Sequence, residues 1–480
     1  MEKKNRKEVV TNMENRRDFL KLLGISAVGI AIAPNFTFAQ TDPWQTVYPQ
    51  ILSRIKPPTF PKRTFNITKF GAKKGKTFDS TQAIARAITA CHKAGGGRVV
   101  VPKGEFLTGA ITLRSNVELH ISKGATLKFT TDTKAYPNVF SRWEGMECMN
   151  FSPFIYAFEQ ENIAITGEGT LDGQSDNTHW WPWKGNKRDG WVEGAPRQHG
   201  DRDELHRMMR DNVPVEKRIF GEGHYLRPQF IQPYRCKNVL IEGVKIINSP
   251  MWEVHPVLCE NVTVRKIHVA THGPNNDGWN PESCKDVLID ECYFDTGDDC
   301  IAIKSGRNED GRRLKTPSEN IIIRNCIMKE GHGGITLGSE ISGGVRNVFA
   351  IGNQLDSPDL WTALRVKNNA SRGGLLENIY LKNTTVGTVS RSVVEVDFNY
   401  EEGAKGDHIP VVRNYVVENL TCKTGNMAVD LQGLDNAPIY DIRLINCDFG
   451  NMAKPSIIKN VKNLKLENIK VGGRQVTELT

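Results

Sequence analysis

Along most of the chain, apolar and polar residues alternate in short runs, each opened by Asn or Asp. "ENIAITGEGTLDG" begins at Glu161, "KNVLIEGVKIINSP" at Lys237, "ENVTVRKIHVATHGP" at Glu260 and "KDVLIDECYFDTGDD" at Lys285. The form returns in "ENIIIRNCIMKEGHGG" from Glu319, "RNVFAIGNQLDSP" from Arg346 and "ENIYLKNTTVGTV" from Glu377, and runs on to "VKNLKLENIKVGG" near the C-terminus. Each unit holds an apolar-x-apolar triplet, a polar bend and a second short alternating run. Period-two alternation over so few residues predicts half-buried strands. The units recur every roughly 22 to 36 residues, a solenoid spacing, with no helix-length segment between the strands. A leucine-rich repeat is disfavoured because Leu-x-x-Leu-x-Leu is missing. The pattern predicts an all-β parallel β-helix, a single solenoid whose rungs stack about 4.8 Å apart. Val239, Ile241, Val244 and Ile246 should form interior stacks.

Two segments break the repeat. Residues 79–92 read DSTQAIARAITACH, in which Ala83, Ile84, Ala87 and Ile88 make one apolar helical face and Asp79 or Ser80 can serve as N-cap. This predicts an N-terminal capping helix over the open end of the core. Residues 175–225 carry Trp180-Trp181-Pro182-Trp183 and a helix near Asp203–Asp211. They read as an insertion, with the tryptophans serving either as core packing or as a platform for sugar rings.

The first residues have the layout of an export signal. A basic stretch with Arg16-Arg17-Asp18-Phe19-Leu20-Lys21 precedes an apolar run from Leu22 to Ala33 and a small-residue site at Ala39. The run is short for a membrane span of about 20 residues, and the paired arginines resemble a twin-arginine signal. The expected organisation is an export signal over 1–39, a lead-in over 40–63 and the β-helix over 64–480. Export places the protein in the periplasm or outside the cell, with no stable membrane span once the signal is removed.

Charge and cysteine usage narrow the partners. Net charge is +8; removing the signal, with seven basic and four acidic residues, leaves about +5. No basic helix or basic-aromatic platform is present, so nucleic acid is not expected. A basic exported protein more plausibly meets an acidic polysaccharide. The ten cysteines include several at equivalent repeat positions, such as Cys326 and Cys447, and read as small buried side chains. No Cys-x-x-Cys occurs, so a zinc cluster is not expected.

The repeat collects chemistry. Polar residues late in successive rungs are Asn275-Asn276-Asp277, then Asp298-Asp299, then Gly331-His332-Gly333, then Arg365-Val366-Lys367. Three carboxylates, an imidazole and two cations should share one face. Inverting cleavage of a glycosidic bond needs a carboxylic acid for the leaving oxygen and a carboxylate to activate water. Crowded like charges keep one acid protonated beside an ionised neighbour. Arg365 and Lys367 alternate about Val366, point the same way and suit a substrate carboxylate. Clustered acids can instead bind calcium, as in lyases of similar architecture, and His332 alone is more often structural. Asp298 and Asp299 reach one cleft only if the chain bends at Gly297, because a regular strand would send them to opposite faces.

These four motifs, in this order and spacing, resemble those of polygalacturonases, the pectin-cleaving family 28 glycoside hydrolases. The resemblance covers about residues 64–470 and includes the opening "FNITKFGAKKGKTFDSTQAI". It implies a right-handed parallel β-helix that hydrolyses α-1,4-galacturonosidic bonds by inversion, without metal or organic cofactor. By it, Asp298 is the general acid, Asp277 and Asp299 activate water, and His332 supports the acid or the bound sugar. Arg365 and Lys367 hold the galacturonate carboxylate, and Asn275 and Gly333 shape the subsite. The sequence departs from the family at Met328, where many relatives have a Cys paired with the Cys after the aspartates, so a disulfide at Cys300 is not expected. It also has Asn276 in place of a frequent Thr. Other readings are a hydrolase of rhamnogalacturonan or other decorated pectin, a calcium-dependent lyase of the same fold, and a non-catalytic carbohydrate-binding β-helix. The 175–225 insertion suits an end wall, hence exo action. A monomer is expected.

Overall fold

The alternating runs do become stacked parallel strands in the computed structural model, which describes residues 42–479. The expected export signal lies outside the described residues. In one column, Val239 aligns with Val262, then Val287, Ile321, Val348 and Ile379. All six are at most 2% exposed, as are Ile241, Val244 and Ile246. Burial of each such side chain stabilises by about 1.5–3 kcal/mol, and the stacking makes the interior one continuous apolar column.

The recurrent Asn has its own physical reason. Asn162, Asn238, Asn261, Asn320, Asn347, Asn378 and Asn414 sit at φ between 53° and 59°, a left-handed conformation that Asn tolerates better than most residues. Their amides then hydrogen-bond from rung to rung: Asn261 donates to Asn238 at 2.7 Å, Asn347 to Asn320 at 3.0 Å and Asn414 to Asn378 at 2.7 Å. One residue type both turns the chain and ties the turns together.

The face that carries the polar motifs is a six-stranded parallel sheet: β1 (Ile301–Ile303), β2 (Ile335–Leu337), β3 (Leu364–Lys367), β4 (Ser392–Asp397), β5 (Met427–Gln432) and β6 (Ile457–Lys459). Ile303, Leu337, Val366, Val396 and Leu431 line up inward, while Ala302, Thr336, Arg365, Glu395 and Asp430 line up on the opposite side.

α1 (Pro43–Arg54) lies in the lead-in, where the sequence pattern assigned no element. Its Ile51, and Ile55 just after it, pack on outward-facing Leu288, Ile322 and Phe349, and Arg54 reaches Asp286 at 2.7 Å. α2 (Thr81–Lys93) is the expected cap, with Ala83, Ile84, Ala87 and Ile88 buried in the main core. Asp79 caps it, accepting from the Thr81 amide at 2.8 Å; the Ser80 side chain takes no such role.

The 175–225 stretch folds as irregular turns and α3 (His199–Arg210), which starts four residues before the expected helix. Trp180 is 3% exposed in the main core and Trp183 packs against it, so core packing accounts for both. An antiparallel hairpin, Asn138–Trp143 with Met146–Phe151, departs from the parallel pattern; its Trp143 and Met146 pack with Leu205 and Met209 of α3. The ten cysteines are free and buried. Among the described residues no helix is long and apolar enough to cross a membrane.

Candidate active site

Four consecutive rungs deliver the predicted side chains to one cleft. The strand Tyr293–Thr296 ends, and the chain bends at Gly297 and Asp298 before β1 begins. Gly297 is required there: a Cβ would lie 2.5 Å from the Gly273 carbonyl oxygen. The bend sends both Asp298 and Asp299 into a cleft of about 570 Å³ that Asn275, Asp277, His332, Arg365 and Lys367 also line. Gly333 stands behind this wall, where a Cβ would meet Thr336 Oγ1 at 2.2 Å and Asp299 Oδ1 at 2.8 Å. A larger groove of about 970 Å³ borders residues 58–64, but its Glu118 and Glu242 are engaged by Arg98 and Arg265.

Each carboxylate of the trio has a basic partner. Lys367 Nζ lies 2.5 Å from Asp299 Oδ2, His332 Nδ1 lies 2.9 Å from Asp298 Oδ1, and Lys304 Nζ lies 3.6 Å from Asp277 Oδ2. Lys304, on the same sheet face as Lys367, was not singled out by the motifs. It also binds Glu340 at 2.9 Å. Three acids already paired with two lysines and a histidine do not make a calcium cage, which needs carboxylates free to face a cation.

Environment pushes the acids apart. Burial drives the Asp277 pKa well above the usual carboxylate range, and the charges of Asp298 and Asp299 add to it against Lys304 and Lys367. Burial opposes ionisation of Asp298 too, but the hydrogen bond and charge of His332, with Lys367 and Lys304, outweigh it and hold its pKa below the ordinary value. In the free site the proton therefore favours Asp277 over Asp298. Burial opposes the charge of Lys304, yet Glu340 and Asp277 hold its pKa above the usual lysine range. Asp299 does the same for Lys367, with help from Tyr400.

The two cations expected to meet substrate are already engaged. Arg365 Nε donates to Glu395 Oε1 at 2.7 Å, and Lys367 serves Asp299. Both lie beside the Tyr400 ring, at 5.8 and 5.5 Å. Asn275 accepts at Oδ1 from Lys184 Nζ at 2.9 Å and Arg227 Nη2 at 2.8 Å, and its Nδ2 donates to Asp298 at 3.4 Å. Asn276 is fully buried; its side chain accepts from Thr271 and the Gly273 amide and donates to the Ser249 and Met251 carbonyls. It fixes the turn that aims Asp277. Cys300, next to the aspartates, is unbridged. His255 is buried between Gln232 and Glu282, outside the cleft. His272 lies with Asp295 and Glu330 beside it.

Further cleft residues are Trp361, Arg391, Tyr400, Glu401 and, from the insertion and hairpin, Lys184, Arg202 and Glu144. Burial opposes ionisation of Glu144, but Arg202 and Arg307 bring its pKa down to about 2. None lies in a motif of fixed order, so stacking on the solenoid rather than local sequence brings them in.

A carboxylate trio with a histidine on one sheet face of a parallel β-helix defines a polysaccharide-cleaving hydrolase of the solenoid class. The model of "Glycosyl hydrolases family 28" matches residues 220–471, and the chain belongs to that family. It is 46% identical to the hyperthermoactive exopolygalacturonase of Thermotoga maritima, with a TM-score of 0.88 over 91% of this chain and 97% of that one. It is 28% identical to a probable polygalacturonase of Vitis vinifera over 80% of this chain and 73% of the relative. It is 26% identical to an exo-poly-alpha-D-galacturonosidase of Dickeya chrysanthemi over 85% and 70% respectively.

Proposed function

We propose that the protein is an exported, exo-acting polygalacturonase that hydrolyses α-1,4-galacturonosidic bonds with inversion. The observation that carries this is the convergence of Asp277, Asp298, Asp299 and His332 in one cleft that is flanked by cations and bordered by the 175–225 insertion. The names of the Thermotoga and Dickeya relatives support the exo reading. Asp298 protonates the leaving oxygen, and Asp277 and Asp299 draw the proton from the attacking water. The free site holds Asp298 ionised, so protonation follows substrate entry. The uronate carboxylates add negative charge beside Asp298, which raises its pKa; the proton that Asp277 holds in the free site then passes to Asp298 within the pair, leaving Asp277 ionised to act on the water, and His332 at 2.9 Å from Asp298 supports the acid.

Time courses on polygalacturonate test both parts. Monogalacturonate should accumulate from the first minutes while viscosity falls slowly. A rapid viscosity drop before much reducing sugar forms overturns exo action. Unsaturated products absorbing in the ultraviolet would overturn hydrolysis. Asp298→Asn should lower kcat by at least about 100-fold while oligogalacturonides still bind; substantial residual turnover would remove Asp298 from the acid's role.

A further inference from the structure

Five arginines are among the largest fully buried side chains. Four meet a carboxylate: Arg142 with Glu282, Arg218 with Asp310, Arg307 with Glu340 and Arg372 with Glu401. Arg227 is the exception. Its guanidinium donates only to neutral acceptors, namely Gln198 Oε1 at 3.0 Å, the Pro250 and Pro274 carbonyls at 2.8 and 2.7 Å, and Asn275 Oδ1 at 2.8 Å. A buried charge without a directly paired carboxylate is costly, and burial brings the Arg227 pKa down to about 10 against the more distant charges of Glu144, Asp189 and Asp298.

Lys184 stands against the same Asn275 oxygen at 2.9 Å and lines the cleft. No carboxylate lies within ion-pair distance of it among the described residues. Its position is fixed: the turn Trp181–Lys184 is docked by Trp180 in the core and by Trp181 Nε1, which donates to the Ser249 carbonyl at 2.8 Å. Asn275 Nδ2 in turn donates to Asp298 at 3.4 Å. Arg365 and Lys367, by contrast, spend their charge on Glu395 and Asp299.

We propose that Lys184, backed by Arg227, binds the carboxylate of the uronate unit on the insertion side of Asp298, and so selects uronate over neutral sugar at that position. The inference rests on the galacturonan reading and deepens it. Lys184 belongs to the insertion rather than to the four motifs, so it links the end wall to recognition of the acidic terminal sugar. The bound carboxylate supplies the direct ion pair that Glu144 and Asp298, acting on Lys184 and Arg227 from further off, do not make.

The test compares wild type, Lys184→Gln and Lys184→Arg on oligogalacturonates and on oligomers whose terminal carboxyl on that side is reduced to the alcohol. Gln keeps an N–H for Asn275 and removes the charge. Lys184→Gln should raise KM for oligogalacturonate at least about tenfold with kcat within about threefold, and should lose the wild-type preference for the unreduced substrate. Lys184→Arg should keep that preference. A Lys184→Gln enzyme that discriminates as well as wild type overturns the inference. A second measurement needs no variant: galacturonate should inhibit the wild-type enzyme competitively and galactose should not, and equal inhibition by both also overturns it. Wild-type inactivity on every galacturonan would instead sink the underlying reading, and this inference with it.

Discussion

Asp299 and Lys367 come from rungs two apart on the sheet face, yet their charged atoms lie 2.5 Å from each other. Both are almost fully buried. Removing one partner of such a pair leaves an uncompensated charge and costs about 3–5 kcal/mol. Lys367→Met should therefore lower the melting temperature by several degrees and reduce kcat at least about 100-fold, because Asp299, which we propose activates the water, loses its fixed counter-charge. Lys367→Arg should recover stability better than activity, since a planar fork does not reproduce a point charge. Thermal melts and initial rates on the same samples separate the two effects.

Gly333 owes its identity to the same carboxylate. An added Cβ would lie 2.2 Å from Thr336 Oγ1, which donates to Asp299 at 3.2 Å, and 2.8 Å from Asp299 itself. Gly333→Ala should displace that carboxylate by a fraction of an ångström. A misplacement of this order can cost about 100-fold in rate, while KM should change far less. Steady-state kinetics showing the reverse pattern would shift the role of Gly333 from positioning base to shaping the subsite.

Asp277 and Asp298 should respond to pH with opposite sign. Asp277 has a raised pKa in the folded protein, so its contribution to stability is present below the unfolded value of about 3.9 and is lost as pH rises through the folded value. Asp298 has a depressed pKa, so its contribution is present above the unfolded value and is lost as pH falls through the folded one. At neutral pH, Asp277→Asn should melt above wild type and Asp298→Asn below it. The Asp277→Asn gain should shrink on acidification. Both variants should lose activity by at least about 100-fold. Melting curves between pH 4 and 8 check the signs.

The solenoid and its catalytic face were legible because one periodicity writes both. Val239 and Ile241 show the inward stripe, and the Asn at each rung start marks the turn. Once the period is known, Asp277, Asp298, His332 and Arg365 fall on one face without any local motif. What escaped lies outside the period. Lys184 and Arg202 reach the cleft from an insertion whose path is set by Trp180 in the core. The lead-in helix α1 and the residue after it supply Ile51 and Ile55, whose partners Leu288 and Ile322 point outward from the rungs; alternation marks those positions as apolar but not what covers them. Lys304 sits in a run, Ile301 to Lys304, that reads as plain strand. Its importance appears only when Asp277 and Glu340 are seen on either side of it. The motifs name Arg365 for the substrate carboxylate but not its partner Glu395, one rung further on.

His332 lies flat on Trp361, ring centroids 3.7 Å apart at 20°, and Arg391 lies over the same indole at 3.8 Å. The indole is thus held between an imidazole and a guanidinium. Its negative face favours charge on both sides and stops the imidazole from rotating away from Asp298. Trp361 carries no acid or base of its own and acts through His332, so it is a positioning residue. Trp361→Leu keeps apolar bulk but removes the π face, and should lower kcat about tenfold with the cleavage pattern unchanged. Trp361→Phe keeps a ring on which His332 can stack and should restore most of that loss. If Leu and Phe behave alike, Trp361 only fills space. If Leu alone loses rate and its pH profile changes shape, the stack sets how His332 and Asp298 share their proton.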